Sequence, residues 1–270
     1  YQLISTLGYT EKEVEALRAA GLAEAAEGAF AKDLLVSLTA EDVPVHFMSL
    51  PSAVNLPDVS KGRLPEKSGE ILIDRNASGS IILGDEIILS PENSEEDLDA
   101  LEAGSFIVVG FCNSPLYLNY ERGATSIGSG SIAFYAYILP EDFAGNTYTS
   151  VYLRLGDLGY LYSQEYDDAA DAAEPAVKAA AAEQAHARYL DLVAENTAKL
   201  EDAEREYQDG VTEYEDGRAE AEKALQEAED ALADAAKQLE EGRAEYEHRD
   251  RGADRESRQR DDVVMRCRHV

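Results

Sequence analysis

The sequence predicts an α+β protein in which a globular domain of sheets and short helices is followed by a long α-helical segment. Large apolar residues concentrate before residue 165, whereas the region after it is mostly Ala, Glu, Asp and Lys. Glycine and proline divide the first region into short segments of β character, and few breakers interrupt the second. We therefore expect an α+β domain over residues 1–165, a projecting helical extension over residues 166–247, and a disordered or non-native tail over residues 248–270.

A short helix near the N-terminus is the first predicted element. Thr10 can cap it, Glu13 completes a capping box, and Gly21 fits its C-terminal stop. Apolar segments typical of strands follow, and we expect them to form sheets that are covered on one face. These segments are AKDLLVSL, VPVHFMSL, EILID, IILGDEIILS, SFIVVGFC, SIAFYAYIL and TSVYLRL.

Two polar stretches predict loops between strands. Residues 91–104, PENSEEDLDALEAG, are acidic and predict a loop that carries one helical turn. Residues 122–131, RGATSIGSGS, are rich in glycine and serine and stand between two strands. A phosphate-binding loop would lead into a helix N-terminus or a lysine. We therefore predict a long hairpin or a surface loop at this place.

The acidic composition excludes several classes of partner. A net charge of −31 argues against a nucleic acid, because phosphate binding requires clustered Lys and Arg. The same charge disfavours lying flat on an anionic membrane surface. Cys112 and Cys267 stand far apart in the sequence and predict neither a disulfide framework nor a metal cluster. No apolar run reaches the length of about 18 residues that a membrane-spanning helix requires.

Residues at intervals of seven predict a coiled coil in the extension. Leucine and tyrosine form two rows at this spacing, and glycine occupies a flanking row of small residues. Glycine inside a helix costs about 1 kcal/mol relative to alanine, and the close approach of a partner helix can offset that cost. The predicted seam consists of Leu200, Tyr207, Gly210, Tyr214, Gly217, Leu225, Leu232 and Leu239.

The polar character of this helix implies a partner, because such a helix gains little stability alone. A hairpin within the chain would turn at Asp209-Gly210 or Asp216-Gly217. The heptad phase runs through both glycines without a slip, so we favour one continuous helix from about residue 176, with Pro175 in its first turn. Its partner would be a returning helix or a second copy of the chain.

The last part of the chain, residues 248–270, is rich in Arg and Asp and lacks both leucine and heptads. A basic interaction tail is one interpretation. A shifted reading frame or appended sequence is the other, and we favour it. The native chain would then continue into the returning helix.

Short motifs of the first region resemble those of MacB-like extracytoplasmic domains. The stretch GRLP at residues 62–65, followed by EILID at residues 70–74, resembles the "GR-x-P … E-I-x-x-D" signature. The stretch LGDEI at residues 83–87 resembles the "(I/L)-G-D-x-I" step that follows it. Later landmarks lie at residues 106–118, 122–130, 147–149 and 163–167. The motif residues are Gly62, Arg63, Pro65, Glu70, Asp74, Gly84 and Asp85.

The resemblance covers roughly residues 3–247 and is to large Gram-positive FtsX-like ABC-transporter permeases with a coiled-coil extension. It implies a MacB-like core domain of mixed sheets and short helices, on the outer face of a Gram-positive cell membrane. A cytoplasmic ABC ATPase subunit would act through membrane helices on this domain. The domain would serve transmembrane transport or mechanotransmission toward an extracytoplasmic protein, peptide or substrate.

No catalytic constellation, cofactor motif or metal motif is predicted for this chain. The histidines, which form no H-x-x-x-H or H-E-x-x-H pair, are His46, His186, His248 and His269. The sequence has no P-loop, so ATP hydrolysis is expected on a separate subunit. The competing function is a secreted or surface coiled-coil adaptor that binds a protein partner without transport. A permease gene would encode further apolar segments and have an ATPase gene beside it, whereas an adaptor gene would not.

Overall fold

The computed structural model describes residues 1–38, 41–161 and 163–267, and beyond residue 252 mainly the helical backbone. The strands are β1 (Gln2–Tyr9), β2 (Ala25–Ala29), β3 (Ala31–Ser37), β4 (Asp42–Ser49), β5 (Asp58–Gly62), β6 (Glu70–Asp74), β7 (Glu86–Leu89), β8 (Ser105–Asn113), β9 (Phe134–Ile138) and β10 (Tyr148–Arg154). The helices are α1 (Glu11–Ala19), α2 (Glu95–Leu98) and α3 (Gln164–Cys267). Short 3-10 turns span Arg75–Gly79 and Pro140–Asp142. The chain is thus α+β, with mixed sheets followed by a long C-terminal helix.

The larger sheet closes on itself. Its strand order is β5-β8-β6-β9-β4-β3-β7, and β7 also pairs with β8, so that all its strands except β5 form a ring. Strand β8 pairs with β7 through its first residues and with β5 through its last. Closure removes the free edges that an open sheet would present. The main hydrophobic core fills the ring, with Val45, Phe47 and Ile71 fully buried.

The smaller sheet has the order β1-β10-β2. One of its faces packs against α1 and the beginning of α3 through Val14, Val151 and Val177. Its opposite face carries Ile4 and Ser150, which are register partners, and this face lies toward strands of the ring. The expectation of sheets covered on one face is therefore wrong for the larger sheet, whose core is enclosed by its own curvature.

Helix α1 begins and ends as its sequence predicts. The backbone N–H of Thr10 donates to the Glu13 carboxylate over 2.6 Å, which satisfies a donor at the helix start. Gly21 adopts a φ of 67° just after the helix ends, a conformation that glycine reaches without steric cost. Local capping chemistry therefore sets both ends of α1.

The apolar segments predicted from the sequence all contribute strands, but in one of them the strand is shorter than the segment. The segment IILGDEIILS forms a strand only over Glu86–Leu89, because Gly84 has a φ of 91° and turns the chain just before it. The acidic loop carries the single helical turn α2 as predicted. The sequence did not predict strands β1, β2 and β5. Most of their residues are exposed or only partly buried, and their sequences show no strong apolar pattern.

The stretch at residues 122–131 is a surface loop and not a hairpin. The strands on either side of it, β8 and β9, are separated in the sheet by β6. One isolated bridge joins Ala124 to Ser131 within the loop. The loop interpretation is therefore confirmed, and the hairpin alternative is wrong because the flanking strands are not neighbours.

Helix α3 begins earlier than residue 176. The Ser163 hydroxyl accepts a hydrogen bond from the backbone N–H of Tyr166, so a serine cap starts the helix at Gln164. Pro175 consequently lies inside the helix instead of in its first turn. Val177 is only 2% exposed and packs with Ala180 on the smaller sheet. This packing holds the first part of α3 to the domain despite its alanine-rich sequence.

The chain divides into two compact units, Tyr1–Ala194 and a second that begins at Glu195. The first unit extends past the composition change at residue 165, because the start of α3 belongs to it. In the second unit, α3 passes through Gly210 and Gly217 without interruption, so the continuous helix is confirmed over the hairpin. The backbone of α3 remains helical from residue 248 to Cys267. The non-native origin of this arginine-rich part stays a prediction.

Candidate functional site

The GRLP motif holds strand β5 against β8. Gly62 is the register partner of Gly110, and its φ of 81° is in the region that favours glycine. A Cβ at Gly62 would lie 2.2 Å from the carbonyl oxygen of Val109, and one at Gly110 would lie 2.4 Å from that of Arg63. The two backbones therefore approach more closely than any larger residue allows. Pro65, just beyond this contact, is buried.

Arg63 and Glu70 form a bidentate ion pair that closes the loop between β5 and β6. The two guanidinium nitrogens donate to the two carboxylate oxygens over 2.7 and 2.6 Å. The backbone N–H of Glu66 donates to the same carboxylate over 2.9 Å. Arg63 above all, and then this N–H, lower the pKa of Glu70 to about 2. The pair fixes the loop and leaves Glu70 ionised at any ordinary pH.

Asp74, at the end of the motif, anchors a different part of the chain. Its carboxylate accepts hydrogen bonds from Nε and Nη2 of Arg122 over 2.5 and 3.1 Å. The two side chains are only 2% and 7% exposed. The Arg122 guanidinium also lies 5.5 Å from the ring centre of Tyr117 and 5.2 Å from that of Tyr135. Arg122 thereby pins the glycine-rich loop onto the outside of the ring.

Gly84 and Asp85 connect the turn before β7 to β8. The backbone N–H of Gly84 donates to the carbonyl oxygen of Val108 over 2.9 Å. The Asp85 carboxylate accepts from the backbone N–H of Ile82 over 2.9 Å, which closes the turn. The motif residues therefore all have structural contacts. The structure brings Gly62, Arg63 and Glu70 together, whereas Asp74, Gly84 and Asp85 act at other points along β6 and β8.

The predicted seam is exposed along the second unit. Its leucines and tyrosines are 62% to 76% exposed: Leu200, Tyr207, Tyr214, Leu225, Leu232 and Leu239. A Cβ at Gly210 or Gly217 would have no side chain or neighbouring segment within 4 Å. Among the described residues from 198 to 252, no second helix therefore covers the seam. Ion pairs four residues apart, such as Lys223–Glu227, support the helix from its polar faces.

A cleft lies between the smaller sheet and the outside of the ring. Its volume is about 170 Å³, and apolar groups form most of its wall. Ile4, Ser150 and Tyr152 of the smaller sheet face Met48 and Tyr137 of the ring across it. The hydroxyls of Tyr137 and Ser114 are 2.7 Å apart and hydrogen-bonded, which fixes the Tyr137 ring. The mostly apolar lining of the cleft suits an apolar group.

One wall of the cleft is held by a single carboxylate. Glu27 accepts hydrogen bonds from the backbone N–H groups of Ser52, Ala53 and Val54 over 2.6, 3.0 and 2.8 Å. It also accepts one from the Ser52 hydroxyl over 2.8 Å. Asn55 follows with a φ of 59°, which an asparagine tolerates better than most residues. The loop wall is therefore set in place before anything enters the cleft.

Two potentially reactive side chains near the cleft are either paired or buried. His46 lies on its wall, and its Nδ1 is 2.5 Å from the Asp33 carboxylate. Burial raises the pKa of Cys112 to about 12, so this thiol stays protonated and is a poor nucleophile. In the parts of the chain with a described structure, no cluster of three His, Cys, Asp or Glu side chains could hold a metal ion.

Sequence reasoning missed the Asp74–Arg122 pair, the Glu27 anchor and the cleft. Each joins residues that are distant along the chain, so no local pattern indicates the contact. The one available signal was Arg122 itself, a lone cation in a loop of glycine and serine. A charged residue in such a loop indicates an anchor only when its partner is known.

No family model matches this chain, and no curated protein matches it. Among solved structures, the extracellular domain of the noncanonic ABC-type transporter YknZ from Gram-positive bacteria is 12% identical, with a TM-score of 0.38, over 63% of this chain and 88% of that one. The periplasmic region of MacB from Actinobacillus actinomycetemcomitans is 11% identical, with a TM-score of 0.39, over 64% of this chain and 75% of that one. Similarity at this level says nothing of what the chain binds or moves.

Proposed function

We propose that this chain is the extracytoplasmic, MacB-like domain of an FtsX-like ABC transporter permease. Its long helix pairs with another helix as a coiled coil and transmits motion of the membrane helices to a protein, peptide or substrate outside the membrane. The observation that carries the proposal is the exposed heptad row on an uninterrupted α3, in a chain whose first unit contains the ordered GRLP, EILID and LGDEI motifs.

The exposure of the row supports helix pairing. Isolated exposed leucines are ordinary, but six leucines and tyrosines in heptad positions lie along one side of the helix. A helix with charged residues over the rest of its surface gains no stability from such a row in water. Covering the row with a second helix would bury these side chains, and the open space at Gly210 and Gly217 would permit close approach.

The first unit has the construction of a rigid base. Pairing between β7 and β8 closes the strand ring, and the Arg63–Glu70 and Asp74–Arg122 pairs tie its loops to the sheet. A base that does not deform transfers an applied force, whereas a soft one absorbs it. The motif residues thus contribute stiffness in this proposal, and none of them is assigned a chemical step.

A membrane anchor and a motor are further parts of the proposal. In the described portion of the chain, no helix combines the length and the apolar character needed to cross a bilayer. In the proposal, membrane helices outside residues 1–270 and a cytoplasmic ATPase subunit drive the domain. The region described here would lie on the outer face of a Gram-positive cell membrane.

The flanking DNA gives the first test. A permease gene encodes apolar segments of about 20 residues outside residues 1–270 and stands beside a gene for an ABC ATPase. A gene without membrane segments and without an ATPase neighbour would favour the competing function, a secreted or surface coiled-coil adaptor. The exposed heptad row supports helix pairing in both cases, so this test distinguishes a transporter permease from a coiled-coil adaptor.

Photo-crosslinking in the producing cells tests the helix pairing. A benzophenone amino acid replaces Leu232 on the seam or, as the matched control, Lys237 on the opposite face of the same helix. We expect a crosslink to a second helix from position 232 and little from position 237. Equal yields from both positions would contradict a coiled coil, because pairing through the seam leaves the opposite face in water.

A further inference from the structure

We propose that the cleft between the smaller sheet and the ring binds one apolar side chain, of leucine to phenylalanine size, from an extended cationic segment of a partner protein. The segment adds to the free edge of β1 and places that side chain in the cleft. This inference does not depend on the coiled coil or on transport, since it rests on contacts within the first unit alone.

The size of the cleft selects a single side chain. A cavity of about 150 Å³ in an engineered protein holds benzene, and this cleft measures about 170 Å³. Sites for whole small-molecule ligands usually measure about 300 to 1,000 Å³. The space therefore fits one ring or one branched aliphatic group. The flexible Met48 side chain on its wall can adapt to either shape.

Exposed apolar side chains at the rim indicate a partner that extends beyond the cleft. Ile4 and Leu116 line the cleft, yet they are 73% and 37% exposed. A small ligand inside the cleft would leave these side chains in water. A protein segment that crosses the rim would cover them.

The free edge of β1 determines the conformation of that segment. Among the described strands, β1 pairs only with β10. Tyr1 exchanges both backbone hydrogen bonds with Leu153, so the antiparallel alternation turns the N–H and C=O groups of Gln2 and Ile4 toward the open edge. Paired residues on neighbouring strands point to the same face of a sheet. A residue paired with Ile4 would therefore point toward the cleft, as in recognition by strand addition.

The negative charge of the protein and the preformed wall of the cleft also favour such a segment. Residues 1–194 contain 31 Asp and Glu against 11 Lys and Arg, a net charge of −20, so the field of the first unit attracts cationic segments and repels acidic ones. The loop wall at Ser52 and Val54 is already fixed by Glu27, so binding does not have to order it. The Glu27 carboxylate has four hydrogen bonds within the chain, which leaves specificity to the apolar anchor.

Methyl-resolved NMR of the full chain with model peptides tests the proposal. The probe is a seven-residue peptide of alternating Lys and Thr with Phe at its centre. Control peptides carry Ala in place of Phe, or Glu in place of every Lys. We expect the Phe peptide to shift the methyl signals of Ile4, Met48 and Val54 with a dissociation constant on the order of 1 mM or tighter. The two control peptides should bind at least about tenfold more weakly.

Two exposed isoleucines provide matched variants. Ile4→Asn removes the apolar side chain from the rim without adding a charge that would attract the peptide, and it should weaken the Phe peptide at least about tenfold, whereas Ile82→Asn, on a similarly exposed isoleucine away from the cleft, should not. Both positions are on the surface, so both variants should fold, which their unmixed spectra check.

Several results would overturn the proposal. Absence of shifts at 5 mM peptide, on the order of five times the expected constant, would exclude the site. Equal shifts with the Ala peptide would exclude the apolar anchor. Equal binding of the Glu peptide would exclude a cationic partner, and equal binding of N-acetylphenylalaninamide would exclude the extended segment. Self-association of the chain that Ile4→Asn abolishes would assign the β1 edge to a second copy instead.

Discussion

Among single residues, the partners of two ion pairs differ in their solvent exposure. Arg63 is exposed while its partner Glu70 is buried, whereas Asp74 and Arg122 are both buried. Removing one partner of a buried pair leaves an uncompensated charge in a medium of low polarity. The Asp74–Arg122 pair is therefore the more sensitive to single substitution.

Replacing Arg122 by methionine should lower the free energy of unfolding by about 3 to 5 kcal/mol, because Asp74 would remain buried without its cation. Urea unfolding measures the change. The double variant Arg122→Met with Asp74→Asn should recover part of the loss, and Arg75→Met, at an exposed arginine nearby, should lose little. A loss of less than about 1 kcal/mol in the single variant would show that the pair is not an anchor.

Glu70 gives a prediction for acid stability. Its pKa is lowered from 4.5 to about 2 by Arg63 and the Glu66 N–H, so its contribution is fully present above about pH 5 and is lost as pH falls toward 2. Glu70→Gln should therefore be less stable than the wild-type chain at pH 7, and the difference should shrink as the pH falls to about 2. Guanidinium unfolding across this range, with exposed Glu66→Gln as control, checks it. A difference that does not change with pH would exclude ionisation as the cause.

At the scale of the element, α3 combines two kinds of stabilisation along one continuous helix. Its first part packs Val177 and Ala180 onto the smaller sheet. From Glu195 onward, helix propensity and ion pairs four residues apart, such as Lys199–Glu195, are its internal supports. The seam glycines weaken that local support, which is expected where a second helix makes up the difference.

Changing Gly210 and Gly217 together to leucine should raise helicity and weaken pairing with the partner helix. Each glycine costs about 1 kcal/mol relative to a good helix former, but a bulky side chain blocks close approach. Circular dichroism measures the first effect, and the yield of crosslinks from a photo-reactive residue at position 225 measures the second. Leucines at Asp209 and Asp216, on the opposite face, should raise helicity without loss of crosslinking. Undiminished crosslinking in the glycine variant would exclude the close-approach seam.

At the scale of the whole molecule, the two compact units differ in what protects them. The first has an enclosed core within the ring and a second core under the smaller sheet. Side chains of the second unit are exposed along the described part of α3. Regions with few buried contacts open locally at a small free-energy cost. The units should therefore differ strongly in their resistance to cleavage.

Limited digestion with a glutamate-specific protease should cut α3 after Glu195 and its successors first and leave the first unit intact. The difference in initial cleavage rate should exceed about tenfold, because the ring opens only with global unfolding. Mass spectrometry of early fragments identifies the sites. Addition of the partner helix should slow cleavage in the seam region. Early cuts within the ring strands would contradict a rigid base.

Comparison of the predicted and observed elements separates local from long-range causes. The ends of α1, the turn α2 and the uninterrupted course of α3 follow from residues within one or two turns of each other, and the sequence predicted them. The start of α3 was misplaced, because the Ser163 cap lies in a stretch without apolar periodicity. Strands β1, β2 and β5 were missed, since only their pairing partners make them strands.

Spacing and propensity along short stretches of chain are enough to predict the α+β class, the capped helix α1, most of the ring strands and the heptad row. They do not predict the closure of the ring, the burial of Asp74 against Arg122 or the cleft walled by Ile4 and Met48. These features join residues far apart in the chain, and their energies come from exclusion of water and charge pairing. Such interactions exist only once the strands have been placed beside one another.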